Sequence, residues 1–238
     1  MSRFLVSSIV FFLSFQGNRS EELDCIIIRK HYICTVIVLD TNRLKSAIMI
    51  KVEVRKAFSS EARFIARNVM AAMGADVFNV PFSEEAFTIL ESLTGICGRT
   101  DTLYSYKNTL VATVSDIPVG TLTAYNGADY VKMRDLTFSI VKEETGFVLP
   151  EMDDETGPGE YYLDSLAVIP SMRGHHVAKT LIRQSLEIAD GLGFTKVSLI
   201  VKKGDDKTKA LYEECGFEED GIRNCFGHEY VRMVNIIG

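Results

Sequence analysis

The chain contains no Cys-x-x-Cys pair, and its cysteines are odd in number: Cys25, Cys34, Cys97, Cys215 and Cys225. Disulfide frameworks use even sets of cysteines, and structural zinc sites use closely spaced pairs. The spacing therefore argues against both. It favours buried or free thiols in a reducing compartment, and we accordingly expect a cytoplasmic protein.

The chain also lacks a basic charge balance, internal repeats and a long apolar run. Its 26 Lys and Arg against 32 Asp and Glu give a net charge of −6 and a pI near 5.3. This balance argues against nucleic acid as the main partner, because the phosphate backbone demands a basic face. The apolar run from Phe4 to Phe15 is shorter than the ~20 residues that span a bilayer, so no membrane partner is expected.

Residues 1–48 do not read as part of the main domain. The stretch "MSRFLVSSIVFFLSFQ" resembles the apolar region of a signal peptide, but no small-x-small cleavage site follows it. A second apolar stretch is interrupted by Arg29, Lys30 and His31. We predict that residues 1–48 are a non-domain extension, such as an over-long gene start, and that the domain covers residues 49–238. A secreted or anchored protein, in which the extension is a targeting segment, is the alternative.

From Met49 onward, strand-like and helix-like patterns alternate. The patterns predict strands, helices and a hairpin in this order: strand 50–57, helices 60–73 and 83–94, a hairpin turning at 115–118, helix 129–144, a strand ending at Pro170, helix 176–193, strand 196–203, a helix ending at Gly216 and a strand over 228–237. This order predicts an α/β (α+β) domain with a mixed sheet. The strand-helix-strand over 160–203 should be a right-handed parallel unit.

The stretch "VIPSMRGHHVAKTLI" ends a strand and begins a helix. The first backbone N–H groups of a helix are unpaired and lie at the positive end of its dipole, which makes an anion site. Arg173 adds a cation, and Gly174 lets the loop turn and lets a ligand approach closely. The stretch therefore indicates a pyrophosphate site, with an ordinary strand-to-helix connection as the alternative.

Two motifs together resemble the GNAT superfamily of N-acetyltransferases. The segment "YYLDSLAVIPSMRGHHVAKTLI" is similar to its acyl-CoA motif, Arg/Gln-x-x-Gly-x-Gly/Ala, with Arg173 first, Ala178 last and His176 in place of the middle Gly. The segment "DDKTKALYEECGF" is similar to the helix that carries Leu-Tyr-Glu-x-x-Gly-Phe, with Asp205 where an Asn is frequent. The resemblance covers residues 49–234. It implies a GNAT-like central sheet, flanked by helices and splayed between its two central parallel strands.

The resemblance implies transfer of an acetyl group from acetyl-CoA to a primary amine of a small molecule or protein, without a metal. It places pantetheine along 166–168 and pyrophosphate on the amides of 174–178. The residues it implies for the co-substrate are Leu166, Ala167, Val168, Arg173, Gly174, His175, His176, Val177, Ala178, Lys179 and Asp205. The expected partners are acetyl-CoA and an unidentified amine acceptor, bound by a monomer or a homodimer. A GNAT-fold acyl-CoA-binding or sensor module with weakened catalysis is the alternative, supported by His176.

Two residues match the family's catalytic positions. Tyr212 corresponds to the usual general acid for the leaving thiolate, and Asp164 to a carboxylate that drains the proton of the amine, with its short side chain favouring a water relay. Strand alternation puts Asp164 on one face with Leu166 and Val168. The alternatives are a Tyr that only packs its helix on the sheet and an Asp that only pairs with a neighbouring Lys.

The remaining candidates carry weaker signals. Adjacent His175 and His176 diverge at a helix start, with no carboxylate at helical spacing, so they do not indicate a metal site. Position 176 should have an ordinary negative φ in the first helical turn. The acidic run 151–155 either attracts a cationic amine or is a solvated loop. Other candidates for the acceptor region are Tyr125-Asn126-Gly127, His228 and the loops around 74–83 and 219–227, none of which identifies the acceptor.

Overall fold

The computed structural model describes residues 10–16, 22–30, 33–40 and 50–238. The chain divides into two units, Met1–Ile50 and Lys51–Gly238. In the first unit, β1 (Val10–Gln16), β2 (Glu22–Lys30) and β3 (Ile33–Asp40) form an antiparallel sheet in the order β1-β2-β3. That residues 1–48 are an extension outside the natural domain stays a prediction.

The second unit is built on a seven-stranded mixed sheet. Its strands are β4 (Glu53–Lys56), β5 (Thr109–Val114), β6 (Ile117–Asn126), β7 (Tyr161–Val168), β8 (Lys196–Lys202), β9 (Glu218–Cys225) and β10 (His228–Ile236). They lie in the order β4-β5-β6-β7-β8-β10-β9. Only β7 and β8 are parallel neighbours, and every other pair is antiparallel. The predicted fold class, a mixed sheet flanked by helices, is confirmed.

Helices cover both faces of this sheet. They are α1 (Ala62–Ala72), α2 (Glu84–Gly98), α3 (Tyr130–Thr145), α4 (Val177–Gly191) and α5 (Asp206–Glu213). Side chains of α1, α2 and α3 share one buried core with Val111, Tyr125 and Tyr162 of the sheet. Those of α4 and α5 share another with Leu122 and Leu163. Within the described residues, no helix is both long and apolar enough to span a membrane.

Two local features differ from the sequence expectation. The β5–β6 hairpin turns at Ser115 and Asp116, both at positive φ, so Ile117 and Pro118 already belong to β6. Residues 218–225, expected as part of an acceptor loop, form β9, the edge strand paired with β10. Most of its side chains are exposed, and apolar and polar residues do not alternate along it. Its sequence pattern therefore does not predict a strand.

The parallel pair β7–β8 separates soon after it begins. Only Tyr161 pairs with Val197 and Tyr162 with Ser198, although β7 continues to Val168 and β8 to Lys202. The edge of β7 from Leu163 onward therefore has no partner in β8, and its backbone N–H and C=O groups on that side face an opening in the sheet. This opening is the geometric centre of the candidate site.

Candidate active site

A β-bulge lies next to the opening between β7 and β8. Across from β6, Ser165 pairs with Thr123 and Leu163 with Ala124, so Asp164 is the extra residue. A bulge breaks strand alternation. The prediction that Asp164 shares a face with Leu166 and Val168 is therefore wrong. Leu166 and Val168 pack with the α4–α5 core, whereas Asp164 contacts Tyr125, which belongs to the α1–α3 core.

Asp164 is a half-buried carboxyl without a cation among the described residues. Its Oδ2 accepts a hydrogen bond of 2.5 Å from the Tyr125 hydroxyl. Burial, and next the charge of Glu155, raise the pKa of Asp164 to about 8, while the Tyr125 hydrogen bond opposes this rise. The alternative of a strand-end Asp paired with Lys has no support, because no salt bridge of Asp164 occurs among the described residues.

Glu155 is the second carboxyl of this region. It is buried, and it accepts hydrogen bonds from the hydroxyls of Tyr162 at 2.5 Å and Tyr130 at 3.1 Å. Burial raises its pKa against these two hydrogen bonds. Of the predicted acidic run, Glu151, Asp153 and Asp154 are exposed, so a solvated loop describes those three but not Glu155.

The segment that carries Glu155 is fixed at several points. Asp153 accepts a hydrogen bond from the backbone N–H of Asn224 in β9, and Asp154 pairs with Arg134 of α3. At Gly127, a Cβ atom would lie 2.2 Å from the carbonyl oxygen of Gly157, so only glycine allows the two segments to come this close. The loop thus inserts Glu155 into the core as a defined side chain.

Tyrosines connect the two carboxyls. The rings of Tyr125 and Tyr162 lie 5.8 Å apart, and those of Tyr130 and Tyr162 lie 6.4 Å apart. We call Asp164, Glu155 and the buried tyrosines around them the carboxyl–tyrosine cluster; its tyrosines are Tyr104, Tyr125, Tyr130 and Tyr162. Burial first, and the carboxyl charges next, raise the pKa of Tyr104, Tyr125 and Tyr162 well above the ordinary value, so these hydroxyls stay protonated as donors.

Glu160, the residue before β7, shows how a neighbouring cation changes the pKa of a carboxyl. Burial tends to raise its pKa, but Ser198 and Arg232 more than offset this and hold the pKa below the ordinary value. Ser198 donates to Glu160 at 2.7 Å, and Arg232 contacts both Glu160 and Asp220. Glu160 is thus a structural ion-pair partner, whereas Asp164 has no such cation and its pKa is raised.

The loop after β7 forms the expected helix entry. Arg173 Nε donates to the carbonyl oxygen of Val168 at 3.2 Å, and α4 begins at Val177 with the amides of its first turn unpaired within the helix. Gly174 has φ +81°, and His176, the residue before α4, has φ +60°. The prediction of an ordinary negative φ at 176 is wrong, because the chain reverses there before it enters the helix.

The left-handed backbone at position 176 explains why the family motif has Gly there. Left-handed φ is free for Gly and costs an L-residue roughly 1 kcal/mol.

The residues at the helix entry are open to a ligand. His176 and Arg173 are exposed, as are Gly174 and His175. Beside the open edge of β7, the buried Ser165 hydroxyl has no hydrogen-bond partner among the described residues. A free strand edge, an orphaned hydroxyl and an unpaired helix start with a nearby guanidinium fit a pantetheine–pyrophosphate chain.

Residues 97–217 match the family described as "Acetyltransferase (GNAT) family". The chain belongs to this family. The recognition made from the two motifs is confirmed, and the GNAT domain contains both of them.

Solved structures agree with the fold of this GNAT domain. A crystal structure of an acetyltransferase is similar with a TM-score of 0.63 at 23% identity, covering 78% of this chain and 100% of that one. An N-acetyltransferase from Staphylococcus aureus Mu50 is similar with a TM-score of 0.63 at 22% identity, covering 76% and 99%. No curated protein matches the chain.

Tyr212 of the GNAT domain lies on the opposite side of the sheet from the carboxyl–tyrosine cluster. It is buried in the α4–α5 core, where its ring packs edge-to-face on Phe217 at 5.7 Å. Burial, and next the charges of Cys215 and Asp205, raise its pKa. The structure therefore does not bring Tyr212 and Asp164 into one cluster. They lie on the two faces of the sheet, which the gap between β7 and β8 connects.

The other sequence candidates have defined positions. Asp205 caps α5 by accepting a hydrogen bond of 3.1 Å from the Thr208 amide. Lys179 pairs with Glu214, the residue after α5, and His228 is exposed at the start of β10. Ala167 is half-buried on β7, and Ala178 is half-buried in the first turn of α4. In the part of the chain that the structure describes, no three His, Cys, Asp or Glu side chains are grouped as metal ligands.

A separate cavity of about 490 Å³ lies between α1 and α2, lined by Arg63, Phe64, Arg67, Phe82, Phe87 and Leu90. None of its residues belongs to the carboxyl–tyrosine cluster. Its two arginines repel a protonated amine, so we do not assign the acceptor to it.

Sequence reasoning missed Glu155 as a buried side chain and the tyrosines as its partners. Tyr125 was noted near the acceptor region, but the turn at 126–127 explained it equally well. The one available signal was compositional: Tyr130 and Tyr162 are polar aromatics in a predicted helix and a predicted strand, and buried tyrosines usually find a hydrogen-bond partner.

Proposed function

We propose that the protein is an N-acetyltransferase that moves the acetyl group of acetyl-CoA to a primary amine. One observation carries the proposal: a half-buried carboxyl without a cation, Asp164, lies at a bulge beside the open strand edge that leads to the 174–178 amides. Burial and the charge of Glu155 raise its pKa to about 8. Acetyl-CoA supplies the activated thioester. The residues of the chain then have to bind it, orient it and accept the proton of the amine.

Asp164 fits the role of proton acceptor better than an ordinary carboxylate does. Transfer from an alkylammonium with a pKa near 10 to a carboxylate near 4 is uphill by roughly 6 pH units, or about 8 kcal/mol. For a carboxyl near 8, the difference falls to roughly 2 units, or about 3 kcal/mol. Buried surroundings therefore raise the basicity of Asp164 toward that of the amine while keeping its carboxylate available at mildly alkaline pH.

The other roles follow from position. Unpaired N–H groups on the open edge of β7 are suited to hold the pantetheine and the developing oxyanion. The amides at the start of α4, with Arg173, hold the pyrophosphate. We propose that Tyr212 gives the thiolate its proton from the opposite face of the sheet, because its raised pKa keeps the hydroxyl protonated. No residue of the domain identifies the acceptor.

The direct test is thiol release from acetyl-CoA against a panel of alkylamines, diamines, amino acids and peptides with free N-termini. We expect amine-dependent release with at least one class, and loss of it in Asp164→Asn. Acetyl-CoA binding by calorimetry without turnover on any amine would contradict the proposal. That outcome would favour the second candidate, an acyl-CoA-binding module, which the left-handed His176 in the loop favours.

A further inference from the structure

The second carboxyl, Glu155, is not used by the chemistry proposed above, yet it is buried and fixed among the same tyrosines. Its two oxygens accept from two different elements: Oε2 from Tyr162 of β7 and Oε1 from Tyr130 of α3. A buried charge is costly unless it is hydrogen-bonded, and a Gln at this position would avoid the cost. Because the protein has a carboxyl at this position in spite of that cost, the charge of Glu155 needs a functional explanation.

We propose that Glu155 is a positioning residue that sets the charge state of Asp164 across the tyrosine layer between them. The proposal rests on the proposed function only in the use that Asp164 makes of its charge. The coupling between the two carboxyls depends on the hydrogen bonds and ring contacts that place them in one cluster, and the raised pKa of Asp164 agrees with it.

The surroundings of the two carboxyls favour the charge of Glu155 over that of Asp164. Glu155 accepts two hydroxyl hydrogen bonds and lies near the guanidinium of Arg134, whereas Asp164 accepts one hydroxyl and has no cation. Hydrogen bonds and a cation favour the ionised form. Glu155 therefore ionises first, and its negative charge makes ionisation of Asp164 harder.

Two tyrosines lie between the two carboxyls. Tyr125 bonds Asp164, Tyr162 bonds Glu155, and their rings lie 5.8 Å apart. Both hydroxyls stay protonated, so neither tyrosine neutralises or carries the charge. Because Glu155 is buried and Asp164 is half-buried, the field of one carboxyl reaches the other with less screening than between exposed groups.

Other titratable and charged groups face the pair from the neighbouring elements. Tyr104 approaches from the loop after α2, and Cys225 of β9 and Tyr230 of β10 approach Glu155; burial raises the pKa of all three, and the Glu155 charge adds to it. Arg134 of α3, which also pairs with the exposed Asp154 and Asp135, supplies the cationic influence on Glu155. No other group named here competes with Glu155 as the nearby negative charge on Asp164.

The test measures the pKa of Asp164 directly, by carboxyl carbon NMR of the full chain labelled at aspartate, with the resonance assigned by its loss in Asp164→Asn. In Glu155→Gln we expect this pKa to fall by about one unit or more, the effect of removing a nearby like charge. Glu151→Gln is the matched control, because it makes the same charge change on an exposed residue of the same loop. It should leave the pKa of Asp164 unchanged.

Two further variants keep the test decisive if Glu155→Gln does not fold. Tyr162→Phe removes a donor to Glu155, weakens its ionised form and should lower the pKa of Asp164. Tyr125→Phe removes the donor to Asp164 itself and should raise it. An unchanged pKa in both Glu155→Gln and Tyr162→Phe, or in Tyr162→Phe alone where Glu155→Gln is unfolded, would overturn the proposal.

Activity separates this inference from the proposed function. If the NMR pKa of Asp164 falls and the rising limb of the pH–rate profile moves to lower pH with it, both are supported. A fall in the NMR pKa without movement of the profile supports the coupling between the carboxyls. The same result would overturn the role of Asp164 in the proposed transfer.

Discussion

The two halves of the candidate site are built in opposite ways. The loop over 170–178 is made from consecutive residues and offers mainly backbone groups, whereas the carboxyl–tyrosine cluster is made from side chains of β6, β7, α3 and two loops. A backbone site depends on local chain geometry, which a short motif specifies. A side-chain site depends on which distant elements the fold brings together, and no short motif records that.

The largest effect should come from the cluster. Asp164→Asn keeps the size and the hydrogen bond from Tyr125 but cannot accept a proton. We expect turnover to fall about 10²–10³-fold, the usual contribution of a general base, with acetyl-CoA affinity nearly unchanged. Thiol-release kinetics and calorimetry measure the two quantities. Turnover within a few-fold of the natural chain would remove Asp164 from the chemistry.

The same variant should be more stable than the natural chain at alkaline pH. The unfolded Asp ionises near 4 and the folded one near 8, so the stability of the natural chain falls as pH rises between these values. Asn does not titrate, so its advantage should grow to as much as roughly 5 kcal/mol above pH 8, the full linkage of these two pKa values, and vanish near pH 4. Thermal melts at the two pH values check the sign, and they also show that lost turnover is not lost folding.

Changes in the 170–178 loop should affect binding instead of chemistry. Arg173→Ala removes the cation, and Gly174→Val forces a β-branched residue into φ +81°. We expect acetyl-CoA affinity to weaken about 10–100-fold in each, or roughly 1.4–2.7 kcal/mol, with turnover at saturation little changed. Calorimetry gives the affinity. If turnover fell and affinity did not, the division between the two halves would be wrong.

Tyr212 tests the acid assigned on the far face of the sheet. Tyr212→Phe keeps the ring packing on Phe217 and removes only the hydroxyl. Turnover should fall several-fold at constant acetyl-CoA affinity, because only the proton for the thiolate is lost. An unchanged rate would leave Tyr212 as a packing residue.

The smallest effect should come from His176. Replacing it by Gly relieves the left-handed strain but adds freedom to the unfolded chain, so stability should rise by no more than about 1 kcal/mol. Acetyl-CoA affinity should stay within about tenfold. Chemical denaturation and calorimetry measure both. If His176→Gly created binding where the natural chain has none, the loop would be broken in this protein, and a non-catalytic role would gain.

This contrast explains what the sequence could reveal. The helix entry at Arg173–Ala178 and the helix α4 that follows it depend on local chemistry and periodicity, and the sequence predicts both. The positive φ of His176 was not, because an L-residue in that conformation leaves no pattern. The bulge at Asp164, the edge strand β9 and the burial of Glu155 depend on pairing and packing between residues far apart in the chain, so local rules assigned them wrongly.

The pH dependence of amine-dependent thiol release tests the central claim most directly. The account predicts that kcat/KM of the natural chain rises through an apparent pKa near 8, the value that burial and Glu155 give Asp164, and that Asp164→Asn lacks this limb. The limb is measured between pH 6 and 9.5 with an acceptor whose own ionisation is known. The absence of a rising limb between pH 6 and 9.5, or an identical limb in both chains, would contradict a proton-accepting role for Asp164.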